Sequence, residues 1–107
     1  MQRRCQVIKL RPEAREEYIR IHADVWPSVL ATIAACNIRN YSIYLYGDLL
    51  VSYFEYHGTD YEADMKKMGA DPETQRWWKL TDPMQAQVAQ AGPDSWWFPL
   101  PEVFHVD

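Results

Sequence analysis

Two runs of strand-forming residues separated only by Gly47 and Asp48 constrain this chain more than any other feature. Residues 39–46 and 49–56 are crowded with Tyr, Ile, Leu, Val and Phe, side chains that suit a pleated, half-buried surface. A glycine and an aspartate between such runs are turn chemistry. The middle of the chain is therefore expected to form an antiparallel hairpin, with Tyr41, Ile43 and Leu45 on one face of its first strand. An isolated hairpin is marginal in water, so the flanking segments must supply its core.

Residues 4–10 suit a first strand, with Cys5 and Val7 on one face and Ile8 and Leu10 nearby. Pro12 is acceptable at a first helical position, and Glu13, Glu16 and Glu17 complement the positive end of the helix dipole. A helix is expected over about 12–24, broken by Pro27, which disfavours helical geometry at Trp26. A second helical stretch over 28–36 ends at Asn37. Beyond the hairpin, Thr59 or Asp60 can cap a short helix ending near Gly69. Asp71 caps the next helix, which carries Trp77 and Trp78 and breaks at Asp82-Pro83. A polar stretch leads to Gly92-Pro93, prolines make 96–101 irregular, and 102–106 reads as a last strand. The order is β-α-β-β-α-β, the split ferredoxin-like pattern. The fold class is thus α+β, an antiparallel sheet with helices on one face. At 107 residues without internal repeat or linker, the chain reads as one domain, 1–107. The uncovered sheet face of so small a unit calls for a partner, and a second copy making a homodimer is expected.

Hydrophobic residues at 48% and charged residues at 24% match a globular chain. Five Trp and seven Tyr exceed what a small core needs, and each buried one must find a partner for its polar handle. That surplus points to a pocket or an interface. A net charge of −4 with scattered basic residues argues against nucleic acid. Two cysteines, Cys5 and Cys36, are too few for a disulfide framework. No secretory leader and no membrane-length apolar run is visible. The expectation is a cytoplasmic protein with reduced thiols and no membrane association.

Among His22, His57 and His105, only His22 sits with other candidate groups. On a helix Tyr18, His22 and Trp26 fall at i, i+4 and i+8, hence on one face. Tyr41 and the Trp77-Trp78 pair can be brought over the same end of the sheet. An imidazole and phenols donate and accept protons, and indole faces stack on the C–H faces of sugars. No nucleophile set, metal-ligand spacing or phosphate loop is present, so neither metal nor cofactor is expected. Proton transfer on a neutral polyol is what remains. Bland readings compete: a helical histidine is more often a packing residue than a catalyst, one tryptophan of an adjacent pair belongs to a core, and Trp96-Trp97-Phe98 suits a loop plugging the core or a dimer seam.

The motifs Glu16-Glu17-Tyr18 with His22, Val25-Trp26-Pro27, Asn40 through Leu45, Gln75-Arg76-Trp77-Trp78-Lys79 and Glu102-Val103-Phe104 span nearly the whole chain. In that order and spacing the sequence resembles the L-rhamnose mutarotase family. The resemblance implies a dimeric, ferredoxin-like α/β-barrel type of fold and an isomerase that interconverts sugar anomers without cofactor. It implies His22 as the proton donor and Tyr18, Tyr41, Trp77 and Trp78 as sugar-binding residues. Asp24 stands where the family pattern leads one to expect Asn, Ser28 where an acidic residue is common, and 94–101 is unusually aromatic. These departures bear on which 6-deoxy sugar is preferred, L-fucose being an alternative. Two other classes share the sequence features. A cofactor-free monooxygenase of the dimeric α/β-barrel kind would take up oxygen, and a non-catalytic sugar-binding module would leave anomer exchange at its spontaneous rate.

Overall fold

The computed structural model describes residues 1–92 and 95–107. Strand β1 (Gln2–Leu10) lies inside an antiparallel sheet. A 3-10 turn at Pro12–Ala14 leads into α1 (Arg15–His22), followed by α2 (Pro27–Ala35). The expected hairpin is β2 (Ile38–Tyr46) and β3 (Leu49–Tyr56), with Gly47 at φ 58 in its turn. Helices α3 (Tyr61–Ala70) and α4 (Pro72–Thr81) come next, and two short strands, β4 (Gln85–Ala86) and β5 (Phe98–Pro99), complete the sheet. The strand order is β2-β3-β1-β4, with β5 also paired to β1. The architecture is α+β, a sheet of antiparallel pairs with four α-helices among the described residues.

The end of the chain departs from expectation. Residues 102–106 form no strand, and Val103 and Phe104 are 93% and 80% exposed. The free edge of β1 is occupied instead by Gln85–Ala86, opposite Leu10 and Lys9, and by Phe98–Pro99, opposite Val7 and Gln6. Strand propensity expresses itself only where an edge is free to pair, and 102–106 finds none in this chain. The aromatic run expected to be irregular thus supplies a strand, and Trp97 packs against the core. Helix α1 is also shorter than 12–24. No side chain caps its start, its first turn is 3-10, and Trp26 at φ −57, ψ 132 is extended before Pro27. Trp26 therefore does not continue the Tyr18-His22 face along one helix. Asp60 and Asp71 do cap α3 and α4, accepting from the backbone N–H of Ala63 and Thr74.

Antiparallel partners point to the same side of a sheet. The register sets Ile8 with Leu50, Gln6 with Ser52 and Arg4 with Phe54 on the face that α1 and α3 cover. Ile8, Leu10, Leu50 and Tyr18 of α1 form its core. Each fully buried Ile or Leu there contributes about 1.5–3 kcal/mol. A β-bulge between Arg39 and Ser42 decides what else faces inward. Two residues, Asn40 and Tyr41, oppose Phe54, and Asn40 takes up the distortion at φ 50. The bulge shifts the alternation by one, so that Tyr41, Ile43 and Leu45 share the helix-covered face with Ile38. The ring of Tyr41 lies 5.5 Å from that of Phe54.

Candidate active site

Helix α1 sets Tyr18 and His22 one turn apart, and their rings stack at 4.0 Å with an interplanar angle of 26°. Trp77 of α4 meets the imidazole edge-on at 5.3 Å, and Trp26 meets Trp77 in the same way at 5.2 Å. The imidazole is thus held between a phenol and an indole. Its Nδ1 lies 2.7 Å from the carbonyl oxygen of Tyr18. A carbonyl only accepts, so Nδ1 carries the hydrogen and, in the neutral ring, Nε2 keeps its lone pair. Burial lowers the pKa of His22, with the bond to the Tyr18 carbonyl partly opposing the shift. The resting imidazole at pH 7 is neutral, and Nε2 is a base.

Tyr18 is buried, and burial pushes its phenol well above the ordinary value; the nearby Tyr41 phenol adds to the shift and a bond from Gln85 opposes it. That bond runs from Gln85 Nε2 to the Tyr18 hydroxyl at 3.3 Å, and Gln85 Oε1 accepts from Trp96 Nε1 at 3.1 Å. Tyr41 is 42% exposed, yet enough protein surrounds its hydroxyl that desolvation, aided by the Tyr61 phenol, pushes it up to about 12. Both phenols hold their protons at neutral pH. They offer hydrogen bonds and not phenolate.

Two clefts of about 340 Å³ flank α1. One is lined by Tyr18 and His22 together with Ile43, Leu45 and Leu50, a mostly apolar recess with few polar groups, as small-molecule sites tend to be. The other is walled by Trp26 and Trp77. Of the expected site residues, Tyr18, His22 and Trp77 are in direct contact, and Tyr41 approaches through the Tyr18 phenol. Trp78 is not brought to the imidazole: it is 39% exposed and its ring lies over Gly69. His57 and His105 sit beside acidic side chains at the surface, at Glu55 and Asp107. Among the described residues no three His, Cys, Asp or Glu side chains gather at one place.

A family model described as L-rhamnose mutarotase matches residues 3–106. The chain belongs to the L-rhamnose mutarotase family. An L-rhamnose mutarotase of Phocaeicola vulgatus is 33% identical over 100% of both chains, and one of Bacillus subtilis 29% identical over 100% of both. The crystal structure of an L-rhamnose mutarotase from Formosa agariphila superposes with a TM-score of 0.77 over 100% of both chains. At 20% identity that likeness speaks for the fold alone. Membership makes the chain an isomerase-type enzyme. In this mutarotase-family chain the polar partner of the Tyr18 hydroxyl, Gln85, and the Trp96 indole bonded to it were not read from the sequence. Gln85 stands in a polar stretch without a motif, and Trp96 read as part of a plug. Neither carries a local signal, because Gln85 meets Tyr18 67 residues away along the chain and Trp96 acts through Gln85.

Proposed function

We propose that this chain interconverts the α and β anomers of L-rhamnose, or of a closely related 6-deoxy sugar, by acid/base opening and closing of the ring. The observation that carries the reading is the His22 imidazole lining a cleft beside the Tyr18 phenol, its Nδ1 held by the Tyr18 carbonyl so that Nε2 is the nitrogen left to act as base. In the proposed reaction Nε2 takes the proton of the anomeric hydroxyl. The bond between C1 and the ring oxygen breaks, its electron pair goes to that oxygen, and the imidazolium so formed returns its Nε2 proton there, so that His22 is base and then proton donor. The open-chain aldehyde turns about its C1–C2 bond, and the reverse steps close the ring on the other face. A general acid/base gain of roughly 10²–10⁴ suits so feasible a reaction. Tyr18, which lines the His22 cleft, is proposed to hold the sugar there; Tyr41, beside the Tyr18 phenol, Trp77, against the imidazole, and the exposed Trp78 are proposed as further sugar contacts.

One-dimensional saturation-difference NMR on L-rhamnose, L-fucose and ordinary aldoses tests this reading directly. Exchange of L-rhamnose anomers well above the buffer rate is expected. Exchange at the spontaneous rate overturns the reading, and oxygen uptake with a quinol would favour a monooxygenase. The pH dependence has a defined sign. The active form of His22 is neutral and its pKa is lowered by burial, so the acid limb of kcat/KM lies below the ordinary histidine value of about 6.5. The rate is flat from there through neutrality, since the phenols stay protonated. An acid limb centred above that value contradicts the assignment.

The proposal extends to assembly: one domain, 1–107, with a ferredoxin-like sheet paired as a dimeric α/β barrel. The sheet face turned from the helices carries Val7, Val51 and Tyr53, and beside them Tyr44 and Tyr46 at 65% and 80% exposure. Val103 and Phe104 are exposed as well, and such apolar surface suits contact with a second copy. Sedimentation at micromolar concentration is expected to give a homodimer. A monomer there counts against it.

A further inference from the structure

Gln85 in β4 is only 4% exposed, so both ends of its amide must be satisfied inside the protein. One end faces the indole N–H of Trp96 at 3.1 Å, the other the hydroxyl of Tyr18 at 3.3 Å. The indole N–H can only donate. Gln85 must therefore present Oε1 to Trp96, and this turns its NH₂ toward Tyr18. The phenol oxygen is then engaged as an acceptor, and its O–H hydrogen has to point elsewhere. Tyr18 also lines the cleft that contains His22. We infer that Gln85, oriented by Trp96, is a positioning residue that makes the Tyr18 hydroxyl a hydrogen-bond donor to the bound sugar. The inference rests on the sugar occupying the His22 cleft. It gives the aromatic loop a task beyond plugging the core, because Trp96 sets the direction of a hydrogen bond two steps from its own ring.

The titratable groups around the Trp96-Gln85-Tyr18 chain are His22 and Tyr41, both beside Tyr18, and Asp82, whose carboxyl burial raises while the Trp96 indole partly offsets the shift. Lys9 and Arg11 flank Leu10, the β1 partner of Gln85, and are exposed. Gln85→Glu keeps the shape and replaces the donor by a carboxylate that can only accept, so the Tyr18 hydroxyl turns to it and away from the sugar. The expected loss in kcat is roughly tenfold. The ratio of the Gln85→Glu rate to the parent rate is expected to recover as pH falls and the introduced carboxyl regains its proton, and so its donor. Gln85→Leu lowers the rate with a ratio that does not vary with pH. Trp96→Phe keeps an aromatic ring and removes the indole N–H from a 39% exposed side chain, freeing the amide to flip, and is expected to cost roughly threefold. The measurement is anomer exchange across pH, with near-ultraviolet dichroism to check folding. A Gln85→Glu ratio near one, or flat with pH, overturns the inference. Should Gln85→Glu not fold, Trp96→Phe decides, and a rate equal to the parent overturns it. A parent protein that exchanges no anomers rejects the functional reading, whereas an active parent with unaltered variants rejects only the role of Gln85.

Discussion

Replacing His22 by alanine is expected to leave a folded protein that retains much of its sugar affinity and loses roughly 10²-fold or more in anomer exchange. The ring lies between Tyr18 and Trp77 and bonds to the Tyr18 carbonyl. Its removal leaves a gap and frees one acceptor, costing about 1–3 kcal/mol of stability. The proposed sugar contacts from the phenols remain, so affinity should change less than rate. His22→Gln sharpens the test. Its amide fills more of the gap and can still hydrogen-bond, but it cannot carry a proton between two oxygens. Both variants are expected to fall together in exchange rate, read by saturation-difference NMR at matched sugar saturation. Should His22→Ala exchange anomers as fast as the parent, the imidazole is a packing residue, and the proton carrier must be sought among Tyr18, Tyr41 and Asp24.

Trp77→Ala is expected to have the largest effect on stability. Trp77 is 6% exposed and touches both His22 and Trp26, so truncation costs about 3–5 kcal/mol. For a chain of this size that lowers Tm by roughly 12 °C or more. Trp78 is 39% exposed over Gly69, and Trp78→Ala is expected to stay within about 1 kcal/mol. Thermal unfolding followed by dichroism separates the two, and equal losses would contradict the division of labour along α4. Trp77→Phe retains an aromatic ring beside His22 while removing the indole N–H. If Trp77 serves the sugar as well as the core, that variant folds and binds L-rhamnose more weakly than Trp26→Phe does. Equal affinities make Trp77 a wall of the site and not a contact within it.

Much of this molecule follows from neighbours along the chain. The hairpin around Gly47, the break at Pro27, the end of α2 at Asn37 with φ 67, and the Asp60 and Asp71 caps rest on turn and cap chemistry within a few residues. The Tyr18-His22 pair was legible for the same reason, since an i, i+4 spacing on a helix brings side chains together whatever else the chain does. The motifs from Glu16 to Phe104 were enough to place the chain in its family.

What the sequence left open depended on distant partners. Whether 102–106 or Phe98–Pro99 pairs with β1 is a competition for one strand edge, and propensity does not say which segment reaches it. Alternation already grouped Tyr41 with Ile43 and Leu45, but the bulge at Asn40 that lets them share a face with Ile38 becomes visible only against the register of β3. That Trp77 is buried and Trp78 exposed was settled by how α4 packs. The surroundings of the proposed reacting groups are tertiary in the same way. The neutral, Nδ1-protonated imidazole of His22 follows from burial and one carbonyl, and the Trp96-Gln85-Tyr18 chain from contacts between segments far apart in sequence. Local spacing determined which residue types could meet, because it acts through one or two turns of backbone. Only tertiary packing decided which atoms donate and which accept, because that depends on what each side chain finds on the other side of the core.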